Sequence, residues 1–116
     1  MNIWIDDIRP APDESYFTIK SVNKALEVIE ECFYSYIYNM VCEPIVIDLD
    51  HDAGDYEKYG GDYFCILVAL ERNCNEHQEW RDYMDQYVTF RIHSMNPVGR
   101  MNMERIIKKN GWEYKR

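Results

Sequence analysis

Apolar positions along this chain follow two rhythms. Short runs rich in β-branched and aromatic residues, at 2–5, 16–19, 44–48 and 87–92, predict strands. Longer stretches with apolar residues three and four apart predict helices. The clearest helix begins after Ser21, a natural N-cap, and carries Val22, Ala25, Leu26, Ile29, Phe33, Tyr36, Ile37 and Met40 on one stripe. Lys24, Glu27, Glu30 and Glu31 occupy its opposite side. A second helix runs from an Asp62 cap to about residue 73, and its first turns, Tyr63 to Leu70, are apolar nearly all round. Such a helix is either covered on two sides or buried in a homodimer. A third starts at Pro97 behind an Asn96 cap, buries Met103, Ile106 and Ile107, and stops at Asn110-Gly111.

The intervening segments read as connections. Pro10 and Pro12 forbid a helix or central strand at 8–12. Residues 50–61 form a glycine-containing loop, and 75–86 read as a polar, irregular connector with at most one helical turn. Residues 112–116 are too short to assign. Strands alternating with helices predict one α/β domain over 1–116, a three-layer fold in which helices flank a small, mostly parallel sheet of order 2-1-3-4. The 16–19 strand takes the edge.

That order places the ends of the first and third strands side by side, and ligands of open α/β sheets bind at the carboxyl ends of their strands. Asp6 and Asp7 end the first strand; Asp48, Asp50, His51 and Asp52 end the third; His93 and Ser94 end the fourth. So many carboxylates repel one another unless a cation intervenes. An arginine serves, and so does Mg²⁺ or another divalent metal held by Asp6, Asp7 and Asp50. The plainer alternative is a set of solvated turn and cap residues. His51 and His93 suit proton transfer near neutral pH, whereas His77 reads as a surface residue. Arg9 and Arg100 bring positive charge, and the helix start at 96–99 presents backbone N–H groups to an anion. Both arginines serve equally to neutralise the aspartates.

Composition narrows the partners. A net charge of −8 over 116 residues argues against an extended nucleic-acid surface but leaves room for a small anion held by local cations. No apolar run is long enough to span a membrane. The N-terminus has no basic region of a secretory signal, so the expected location is cytoplasmic. Cys32, Cys42, Cys65 and Cys74 lack zinc-type spacing and are expected to be buried free thiols.

Three segments together resemble a known family. Trp4-Ile5-Asp6-Asp7-Ile8-Arg9-Pro10 is similar to its opening LDDxRP motif, Ile47-Asp48-Leu49-Asp50-His51-Asp52-Ala53-Gly54 to its LDHDLG motif, and His93-Ser94-Met95-Asn96-Pro97-Val98-Gly99-Arg100 to its HSxNPxG motif. The family is the cyclic-phosphate processing receiver-like domain, a relative of bacterial response-regulator receivers. The resemblance implies a receiver, or flavodoxin-like, sheet and a role in processing cyclic phosphates of nucleotides or RNA ends. Its matching residues are Asp6, Asp7, Arg9, Asp50, His51, Asp52, His93, Ser94, Asn96 and Arg100. The chain departs from the pattern at Ala53, where leucine is usual.

The expected activity is therefore that of a phosphoesterase acting on a small phosphorylated substrate. Asp7, Asp50, His51 and His93 would carry the chemistry, with Arg9, Ser94, Asn96, Gly99 and Arg100 holding the phosphate. The alternatives are a non-catalytic nucleotide-binding module and a receiver-type signalling domain. Against the receiver stands the expectation that no fifth strand delivers a lysine to the site.

Overall fold

The computed structural model describes residues 1–51 and 62–115. Five strands form one parallel sheet: β1 (Asn2–Ile5), β2 (Tyr16–Ile19), β3 (Ile45–Leu49), β4 (Val88–Ile92) and β5 (Glu113–Tyr114), in the order β2-β1-β3-β4-β5. The helices among the described residues are α1 (Val22–Asn39), α2 (Phe64–Glu76), α3 (Gln78–Tyr87) and α4 (Pro97–Lys109). The α/β class, the receiver-like sheet and its flanking helices are as expected. The order extends 2-1-3-4 by one strand, with β2 at the edge.

Strand alternation shows where the core sits. Ile3, Ile5, Ile45, Ile47, Leu49, Val88, Phe90 and Ile92 all point to one face and are buried. The helices cover that face. Connections β2-α1-β3, β3-α2-α3-β4 and β4-α4-β5 all advance in the same direction across the sheet, so right-handed crossovers put their helices on the same side. Direct packing of α2 against α1, α3 and α4 agrees with a single helical layer. Only the step from β1 to β2 runs the other way, and residues 6–15 make it without a helix. On the opposite face the described residues place the β1–β2 loop: the Trp4 indole donates its N–H to Arg9 O and meets Tyr16 edge-on.

Several elements differ from the sequence expectations. The stretch read as an irregular connector contains α3, which buries Trp80, Tyr83 and Met84 and stacks Trp80 on Phe33 with ring centroids 4.0 Å apart. Tyr87 closes that helix instead of opening β4. Residues 113–114 form the fifth strand that was not expected. β5 pairs only with Thr89 and Phe90, and the Lys115 N–H bonds Phe90 O, so this lysine stands short of His93 along the sheet. Met40 is not on the α1 stripe; it leaves the helix in the left-handed region at φ 56° and is exposed. Of the cysteines, all free, only Cys74 is buried, Cys32 is half-buried, and Cys42 and Cys65 are exposed, because the latter two fall outside the packed faces.

Local caps follow the sequence closely. Ser21 Oγ accepts the Lys24 N–H, and Asn96 Oδ1 accepts the Gly99 N–H. Asp62 Oδ1 accepts the Phe64 N–H at the start of α2. The apolar α2 buries Ile66, Leu67 and Leu70 and turns Cys65 and Val68 outward. No helix among the described residues is long and apolar enough to cross a membrane.

The one-sided helical layer makes two neighbouring α2 positions unequal. Leu67→Ala, at a side chain 0% exposed, is expected to cost about 2–5 kcal/mol. Val68→Ala, at a side chain 38% exposed, is expected to cost less than about 1 kcal/mol. Urea melts of the two variants check this, and a Val68 cost equal to that of Leu67 would place a second covering on α2.

Candidate functional site

The parallel register carries the chemistry to one sheet edge. Residues that follow or end β1, β3 and β4 on the face away from the helices are Asp6, Asp48, Asp50 and His93. Asp6, Asp48 and Asp50 are all under a tenth exposed. The structure brings them together around the His93 ring. Its Nδ1 lies 2.7 Å from Asp48 Oδ1 and its Nε2 lies 3.0 Å from Asp6 Oδ2. The ring stacks flat on Trp4, with centroids 3.7 Å apart and planes 5° from parallel. A ring protonated on both nitrogens donates to both carboxylates at once.

Two arginines complete the balance. The Arg9 side chain donates to His93 O at 3.0 Å and approaches Asp6 Oδ2 at 3.7 Å and Asp50 Oδ1 at 3.8 Å. Arg91 Nε lies 3.9 Å from Asp48 Oδ2. Asp6, Asp48 and Asp50 thus face the His93 ring, Arg9 and Arg91. Mutual repulsion is thereby answered by side chains of the chain itself.

The two most informative carboxyls titrate in opposite directions. Burial pushes Asp6 up, but the Arg9 and Ile8 N–H groups and the His93 ring outweigh it, leaving Asp6 below the usual carboxylate value. Burial also pushes Asp50 up, and repulsion from Asp6 adds to it. The His51 N–H, His93 and Arg9 offset this only in part, so Asp50 stays raised. A carboxyl held above its ordinary range beside a cation suits proton transfer.

His51 follows Asp50 and donates its backbone N–H to Asp50 Oδ1 at 2.9 Å. Its ring lies against the first turn of α4, where Gly99 makes room for it. A Cβ built on Gly99 would stand 2.4 Å from His51 Cγ, a separation real atoms do not adopt. Ser94 is buried, and its Oγ accepts the Asn96 N–H, fixing the approach to α4. Asp7 turns toward the helices, where its Oδ1 lies 3.3 Å from the buried Tyr63 hydroxyl; the same hydroxyl reaches Lys20 O at 3.1 Å. Arg100 is engaged along α4, with Nε on Glu104 Oε1 at 3.2 Å and a terminal nitrogen 3.4 Å from the Tyr114 hydroxyl. Asp52 lies outside the described residues.

The arrangement bears on a metal as well. Asp6 Oδ1 already accepts two backbone N–H groups, and Oδ2 faces His93. Among the described residues no group of three or more His, Cys, Asp or Glu side chains is placed to hold a metal ion.

Sequence reasoning missed Trp4, Arg91 and Tyr63. Trp4 and Arg91 sit at strand positions two residues before Asp6 and His93, and period-two alternation places them on the same face as those residues. That signal is visible in the sequence. Tyr63 lies within an apolar stretch and carried none.

A parallel sheet of order 2-1-3-4-5 with acidic residues gathered at the carboxyl ends of its strands defines a receiver-like domain. The particular family follows from the sequence as a whole: the model of the cyclic-phosphate processing receiver domain matches residues 1–109, and the chain belongs to that family. Searches of curated proteins and of solved structures returned no significant match.

Opposite titration of the two carboxyls predicts opposite effects on stability. Stabilisation from Asp6 is complete above the ordinary carboxylate range and is lost as pH falls through its lowered value. For Asp50 the sign reverses, and falling pH through its raised value relieves a cost of burial. At neutral pH Asp6→Asn is expected to cost about 3–5 kcal/mol, because it strips His93 of a buried partner. Asp50→Asn is expected to raise stability by about 0.5–1 kcal/mol. Denaturant melts at neutral and mildly acidic pH check both signs.

Proposed function

We propose that this domain binds and opens a cyclic phosphate on a nucleotide or RNA end. One observation carries the reading: Asp50 Oδ1 lies between the Arg9 guanidinium and the His51 backbone N–H. A raised carboxyl, an imidazole and a part-exposed cation thus share one sheet edge beside the first turn of α4. Family membership over residues 1–109 supports the substrate class.

The chemistry is hydrolysis of a cyclic phosphodiester. Water attacks phosphorus, one bond from phosphorus to a sugar oxygen breaks, and a phosphomonoester is left. Asp50 takes the proton from water and His51 supplies one to the departing oxygen. Arg9 and the positive end of the α4 dipole receive the charge that develops on the phosphate oxygens. Ser94, Asn96 and Gly99 shape that first turn. His93, with both ring nitrogens facing carboxylates, holds the edges of β1, β3 and β4 in place.

Incubation with a panel of 2′,3′-cyclic nucleotides, followed by chromatography of the monophosphates, tests the proposal. His51→Ala is expected to lower kcat by about 10²–10⁴-fold. Gly99→Ala, which drives a methyl group into the His51 ring, is expected to lower kcat while leaving the melting temperature within a few degrees of the parent. Absence of turnover across the panel overturns the hydrolytic reading, and binding without product assigns the pocket to a nucleotide-binding module instead.

A further inference from the structure

Among the described residues a cavity of about 330 Å³ opens between α1 and α3, on the helical side of the sheet. Rings make most of its wall. Phe33 and Trp80, both nearly buried, stack with centroids 4.0 Å apart. Tyr34 lies 5.6 Å from Phe33, and Tyr38 lies 6.0 Å from Tyr34, so the four rings form one continuous series. Core packing accounts for the inner two but not the outer two: Tyr34 is 49% exposed and Tyr38 76%. Among the described residues lining the cavity, Glu79 is the one carboxylate, and none is a lysine or arginine. α1 continues the negative charge outward, since the exposed Glu30 and Glu31 lie four and three residues before Tyr34 on the same side of the helix.

This combination selects the charge of an occupant. Aromatic faces attract a cation set over them, most strongly where water is excluded. Glu79 gives that cation a counter-charge, whereas an anion would meet a carboxylate with no neighbouring cation to offset it. A guanidinium fits both walls, because its plane stacks on a ring and its fork of N–H donors matches a carboxylate. Its aliphatic stem covers Ile37, which also lines the cavity. The volume stands at the small end of ligand pockets and suits one long side chain. With Tyr38 so open, a free cation is enclosed on one side only. Chain on either side of the arginine closes the cavity, and further basic positions along it meet Glu30 and Glu31.

We infer that the cavity between α1 and α3 is a docking site for an arginine-bearing segment of a partner protein. The guanidinium stacks on the Tyr34 and Tyr38 rings and pairs with Glu79. The cavity shares no residue with the acidic sheet edge, so this inference stands apart from the proposed hydrolysis.

The probe is a blocked glycine–serine octapeptide carrying two arginines, titrated at neutral pH into nitrogen-15-labelled protein. Saturable shifts of amide resonances are expected within residues 33–38 and 77–80. The same peptide with citrulline, which keeps the shape of arginine and loses its charge, is expected to bind about tenfold more weakly. A Tyr38→Ser, Glu79→Gln double variant is expected to weaken the arginine peptide by about tenfold, from loss of one ring face and the counter-charge. Its melting temperature stays within a few degrees of the parent, because both side chains are exposed. Equal affinity for the citrulline peptide, shifts confined to other residues, or no shift at millimolar peptide overturns the site. Equal affinity for blocked, single arginine overturns the protein partner.

Discussion

Everything at the functional edge depends on the clasp of His93 between Asp6 and Asp48. Three strand ends that are distant in sequence meet there, and each contributes one member: Asp6 after β1, Asp48 in β3, His93 after β4. A hydrophobic core can align these strands but cannot fix the rotation of a ring at their ends. Contacts of both ring nitrogens with carboxylates and a flat stack on Trp4 do so. Burying charges is costly unless they are paired, and removal of Asp6 or Asp48 strands His93. The clasp is therefore a cooperative unit that joins the ends of β1, β3 and β4.

One-sidedness of the helical layer explains why the clasp is needed. On the helical face, isoleucine, leucine, valine and phenylalanine side chains exclude water. On the other face the strands carry Trp4, Val46, Asp48, Thr89 and Arg91, and the β1–β2 connection is a proline-bearing loop. Among the described residues no helix packs on that loop to anchor it. Its anchors are polar instead: Asp6 Oδ1 accepts the Ile8 and Arg9 N–H groups, Arg9 O receives the Trp4 indole, and the Arg9 side chain reaches His93 O. A loop held by side chains that also face a ligand site links ligand chemistry to loop order directly.

Much of this was legible in the sequence, for identifiable reasons. Caps and periodicity place α1, α2 and α4 because Ser21, Asp62 and Asn96 act through local backbone bonds that sequence spacing already specifies. The strand ends were legible because parallel strands in an α/β sheet deliver their last residues to one edge. α3 was not read, although Trp80, Tyr83 and Met84 recur at helical spacing, because its polar majority masks a stripe that matters only once Phe33 is there to stack on. β5 escaped for a different reason: two residues carry no periodicity, and only pairing with Thr89 and Phe90 makes them a strand. At the site, sequence could list His51 and His93 but not tell them apart. Their difference is tertiary, since one ring is gripped at both nitrogens and the other rests in the space left by a missing side chain.

That difference separates the two histidines by task. A base or acid must exchange its proton with a reacting group, so a ring whose two nitrogens already face carboxylates would have to break the structure to react. His93 is bound in this way by the strands themselves. His51 comes after the strand, shares Asp50 with Arg9 through its backbone, and lays its ring against Gly99. Under the proposed hydrolysis, this division assigns the structural lock to His93 and the moving proton to His51.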